Sequence, residues 1–108
     1  MKTRRKIRAY VKLPVVPSGE TTRQPITLTN LSLTGCLLVT DAELRVGDSF
    51  AFYVERREGR GLPLTGTIIR RHADPAGYGV YFEPPGEEVR GELALLIANA
   101  DEPPGAKD

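Results

Sequence analysis

The chain has 108 residues, the size of one compact domain, so a second domain is not expected. Its 15 Lys and Arg against 14 Asp and Glu leave a formal net charge of +1, so no whole-molecule field marks DNA, RNA or an anionic membrane as partner. One Cys and one His rule out an intramolecular disulfide and supply too few soft ligands for a zinc site, and no apolar run reaches the roughly 18 residues of a membrane span.

Charge is nevertheless unevenly spread. Lys2, Arg4, Arg5, Lys6 and Arg8 occur without an intervening acid, whereas Glu83, Glu87, Glu88, Glu92, Asp101 and Glu102 gather in the C-terminal third. Residues 1–9 therefore read as a flexible basic arm, and any anion-binding function is expected there. The basic start is not followed by an apolar signal core, so a cytoplasmic protein without membrane insertion is expected.

Between Tyr10 and Phe82 short β-branched or aromatic stretches alternate with Gly, Pro, Asp and Asn, the pattern of a strand-rich domain. Six strands are predicted, over Tyr10 to Val16, Pro25 to Thr29, Gly35 to Thr40, Ser49 to Glu55, Leu62 to Arg71 and Tyr78 to Glu83. Pro17-Ser18-Gly19 and Asp74-Pro75-Ala76-Gly77 mark the clearest turns. A period of two puts Phe50, Phe52 and Val54 on one face, as it does Leu64, Gly66 and Ile68, and Tyr78, Val80 and Phe82. Cys36, Leu37, Leu38 and Val39 are apolar on both faces, which predicts a central or covered strand.

Six antiparallel strands that close on themselves leave no edge, so an all-β barrel is favoured over a flat sheet. After Pro84-Pro85-Gly86 the period changes. Glu87 and Glu88 suit a first helical turn, and Val89, Leu93, Leu96 and Ile97 follow at helical spacing, predicting a C-terminal α-helix that caps the barrel. The barrel and helix together span 10–99, and 100–108, with Pro103-Pro104-Gly105, reads as a disordered tail.

Two short elements carry chemistry. Arg presents a planar fork of donors that grips phosphate bidentately, takes the O6 and N7 acceptors of guanine, or stacks on a base. Arg4 and Arg8, with Arg5 between them, have enough backbone separating them to wrap a dinucleotide, although a solvated basic terminus would look the same. Asn30-Leu31-Ser32-Leu33-Thr34-Gly35 joins two predicted strands, and its Asn and Ser side chains can simply bond to local backbone. They also offer a carbonyl for guanine N–H donors, a hydroxyl for phosphate or base, and a Gly where close approach is needed.

Elsewhere the residues read plainly. Arg56, Arg57 and Arg60 flank a Gly-containing turn and look like a solvated hairpin tip. Arg70-Arg71-His72 reads as an exposed strand end, from which an outward arginine could supplement a ligand site. Cys36 reads as a small buried hydrophobe, and His72 as a surface residue.

Taken together, Arg4-x-x-x-Arg8 and Asn30-x-Ser32-x-x-Gly35 spell R-x-x-x-R followed by [DN]-x-S-x-x-G, and in this the chain resembles the PilZ family. Val11 to Val15, Leu64 to Arg70 and Gly77 to Phe82 are similar to that family's first strand and late strand pair. The resemblance implies a six-stranded antiparallel barrel with a C-terminal helix and a bacterial second-messenger receptor for cyclic-di-GMP. It assigns Arg4 and Arg8 to clamping phosphates and guanines, with Arg5 contributing, and makes Asn30, Ser32 and Gly35 the floor of the base site. Asn30 stands where the family accepts Asp or Asn; a neutral amide forgoes one charge-assisted bond to guanine.

The expected function is thus non-catalytic. Cyclic-di-GMP orders the arm, changing contacts with a downstream protein partner, and no cofactor is required. Two other readings compete: a degenerate interaction module that has lost the nucleotide, and a small barrel for single-stranded nucleic acid. The near-neutral charge and seven aromatics (four Tyr, three Phe, no Trp) argue against the last. No catalytic constellation can be assembled around one His and one Cys.

Overall fold

The computed structural model describes residues 8–19, 24–56 and 61–100. Six strands, β1 (Leu13–Pro17), β2 (Ile26–Thr29), β3 (Gly35–Thr40), β4 (Ser49–Val54), β5 (Leu62–Ala73) and β6 (Ala76–Phe82), precede one helix, α1 (Glu87–Ala98). Every strand pair is antiparallel, and the order β1-β2-β3-β6-β5-β4 closes into a barrel because β1 also pairs with β4.

Alternation explains the interior. Phe50, Phe52 and Val54 of β4, Leu64 and Ile68 of β5, and Tyr78, Val80 and Phe82 of β6 all face inward and are buried, as period two requires. Leu28, Leu31 and Leu38 complete the centre at 0% exposure. Phe50 and Phe52 stack with ring centroids 5.4 Å apart.

The helix closes the barrel through one deeply placed anchor. Leu93 is fully buried in the core cluster, while Val89, Leu96 and Ile97 pack against that cluster from the side. Glu87 and Glu88 occupy the first turn, where the helix dipole favours negative charge. Arg56 does not belong to a solvated tip: it forms an ion pair with Glu92, linking the end of β4 to α1. Arg57 and Arg60 lie outside the described residues.

Two expectations about strands are corrected. The first strand was predicted from Tyr10, but barrel pairing begins with Leu13 opposite Leu28. The stretch just before it instead makes a separate bridge, Ala9 to Leu31. The third strand is not covered on both faces. Buried Cys36, Leu38 and Thr40 alternate with half-buried Gly35, Leu37 and Val39, because a closed barrel has an inside and an outside but no central strand. Among the described residues no helix is long and apolar enough to cross a membrane.

Candidate functional site

The site begins with a two-bond bridge. The Ala9 amide donates to the Leu31 carbonyl at 2.7 Å, and the Leu31 amide donates to the Ala9 carbonyl at 2.8 Å. Both residues are buried. Of the stretch 1–9, the end at Ala9 is thereby fixed to the barrel, and Arg8 leaves it exposed beside the loop that runs from Asn30 to Gly35. Arg4 and Arg5 lie outside the described residues.

Three features shape that loop. Asn30 has φ 51°, in the left-handed region that Asn tolerates better than most side chains, and this turns the chain from β2 into the bridge. Ser32 is 2% exposed, and its hydroxyl accepts hydrogen bonds from the amides of Thr34 and Gly35, each at 3.2 Å. Its backbone amide donates to the Gly35 carbonyl at 2.9 Å. Gly35 lies so close to β6 that a Cβ would collide with the Val80 carbonyl oxygen. The close approach that Gly35 permits is therefore strand against strand, and Ser32 uses its hydroxyl to hold the turn.

Arg8, Asn30, Ser32 and Gly35 all line one shallow concavity of about 240 Å³. Its wall is the outer face of β3, β6 and β5, with Leu37, Tyr81, Ile69, Arg70 and His72 facing it. Tyr81 is 57% and Ile69 51% exposed. Among the described residues neither Arg8 nor Arg70 forms a salt bridge. His72, expected at the surface, reaches its rim with Nδ1 2.9 Å from the Pro75 carbonyl oxygen. Cys36 also borders the basin, but burial raises its thiol above the ordinary value and keeps it protonated and unreactive.

Tyr81, Leu37 and Thr34 were not singled out from sequence. Alternation does place Gly79 and Tyr81 opposite the buried Tyr78, Val80 and Phe82, so an outward tyrosine was readable. That it stands beside Gly35 depends on the β3–β6 pairing, between strands far apart in the chain.

The arrangement offers guanidinium groups, an amide, and an aromatic and aliphatic wall around an open shelf. That set suits an anionic ligand with planar bases. Among the described residues no cluster of three or more His, Cys, Asp and Glu could hold a metal ion.

Comparison with known proteins agrees with the barrel fold. The solved structure of the Bacillus subtilis inhibitor of motility, MotI/DgrA, superimposes with a TM-score of 0.70 at 15% sequence identity. The match covers 91% of this chain and 50% of that one, so the chain spans about half the length of that neighbour. No curated protein matches the sequence. The PilZ domain profile matches residues 2–99, which takes in both motifs, the whole barrel and the helix. The chain belongs to the PilZ domain family, a family of cyclic-di-GMP receptors.

Proposed function

We propose that this chain is a non-catalytic cyclic-di-GMP receptor whose N-terminal segment closes over the nucleotide and so alters a surface read by a protein partner. The observation that carries the reading is the Ala9–Leu31 bridge. It sets Arg8, the last residue of the first motif, beside Asn30 to Gly35, so these residues distant in sequence share one concavity.

Sites that enclose a ligand usually hold roughly 300–1,000 Å³. At about 240 Å³ this basin serves as a shelf rather than an enclosure. On this reading Arg4 and Arg5, which lie outside the described residues, add two further guanidinium groups to the contacts with the ligand. Asn30 offers an amide to the guanine edge, and Ser32 and Gly35 keep the loop in shape for it. A micromolar affinity amounts to about 8 kcal/mol, within reach of several charge-assisted bonds of roughly 1.5–3 kcal/mol each after the ordering cost is met.

Isothermal titration of cyclic-di-GMP into the protein, beside GTP and beside Arg8→Ala, tests this directly. Saturable heat specific to cyclic-di-GMP and lost in the variant is expected, with the melting temperature unchanged because Arg8 is exposed. No saturable heat from the unaltered chain would refute the receptor and leave a module that works through protein contacts.

A further inference from the structure

The sequence around Arg70 contains a register shift that changes which way its side chain faces. Ile68 pairs with Val80, but the next pair is Arg70 with Gly79, so Ile69 is an extra residue in β5. Without it, Ile69 would oppose Gly79 and Arg70 would oppose Tyr78, on the barrel's inner side. The bulge moves Arg70 to the outer face, in line with Gly79 and Leu37.

A second feature accommodates the side chain there. A Cβ on Gly79 would lie 3.2 Å from Cγ, 3.3 Å from Nε and 3.4 Å from Cζ of Arg70, so the arginine lies flat along β6 across the space the glycine leaves open. It makes no salt bridge among the described residues. Exposed Ile69 and Tyr81 flank it at the wall of the basin that Arg8 and Asn30 border.

Resting on the cyclic-di-GMP reading above, we infer that Arg70 is a specificity-determining residue that presents its guanidinium fork to a guanine base of the ligand. The surroundings select base over phosphate. An aliphatic and an aromatic side chain add nothing to a phosphate, whereas they cover the face of a purine whose O6 and N7 accept two parallel N–H donors. Adenine carries an amino group where guanine carries O6, so the same fork discriminates between the two bases.

The test titrates cyclic-di-GMP and cyclic-di-AMP into the unaltered chain, Arg70→Ala, Arg70→Lys and Arg8→Ala, with thermal melting to establish that each is folded. Arg70→Ala is expected to lose about 10- to 100-fold in cyclic-di-GMP affinity and to narrow the preference over cyclic-di-AMP, with Arg70→Lys failing to restore either. Affinity within threefold of the unaltered chain in Arg70→Ala, or full affinity in Arg70→Lys, would overturn the assignment while leaving the receptor intact if Arg8→Ala still loses binding. Equal losses for both nucleotides would reduce Arg70 to a nonspecific charge and also overturn it. Absence of binding by the unaltered chain would overturn both readings.

Discussion

Asn30 and Ser32 are adjacent members of one motif with separable duties. Asn30 sits at φ 51°, a conformation that glycine adopts freely and that other L-residues enter at a cost of roughly 1–2 kcal/mol. Asn30→Gly is therefore expected to keep its urea midpoint while losing about tenfold in cyclic-di-GMP affinity; unchanged affinity would confine the side chain to the turn. Ser32 differs because its hydroxyl accepts from two loop amides. Ser32→Ala leaves those donors unmatched, with an expected loss of about 1–2 kcal/mol in a denaturant titration. A variant as stable as the parent would show that the hydroxyl is dispensable to the loop.

At the scale of elements, position depends on a few anchors. Ala9 and Leu31 exchange both backbone hydrogen bonds, and proline has no amide to donate. Ala9→Pro should weaken nucleotide binding at least tenfold because it releases Arg8, and should lower stability by about 1–3 kcal/mol because the buried Leu31 carbonyl loses its donor, with the six barrel pairs kept. Full affinity would mean that the bridge does not position Arg8. The helix depends in the same way on Leu93, which is fully buried. Leu93→Ala should cost about 2–5 kcal/mol, read from chemical denaturation, whereas the 61%-exposed Leu95 should tolerate Ala with little loss. Equal effects at the two positions would contradict the packing of α1 described above.

The whole molecule constructs the basin, since Arg8, the Asn30–Gly35 loop and the β3, β6 and β5 walls come from distant parts of the chain. A ligand that needs all of them binds the folded state and not the unfolded one. At 100 times its dissociation constant it should add about 2.7 kcal/mol of stability, a melting shift on the order of 10 °C by calorimetry. Saturable binding with no shift would place the contacts on the N-terminal segment alone. Net charge matters little at this scale: at +1 the molecule exerts little long-range pull on an anion.

Local pattern determined much of this protein by itself. Period-two burial of Phe50, Phe52 and Val54, and of Tyr78, Val80 and Phe82, needs only alternation, and the shift to helical spacing after Gly86 identifies α1. The two motifs were equally legible, because arginine forks and an Asn-x-Ser-x-x-Gly loop are recognisable as residue types at fixed spacing. What those residues do in space was decided only by tertiary structure. Whether Gly35 admits a ligand or a neighbouring strand depends on β6, whose Val80 carbonyl lies against it. Whether Arg56 is solvated or anchors the helix depends on where Glu92 lands. Arg70 faces outward because one extra residue in β5 shifts its register against β6, and a shift of one residue between paired strands reverses a side chain's face without leaving a trace in either strand's own periodicity.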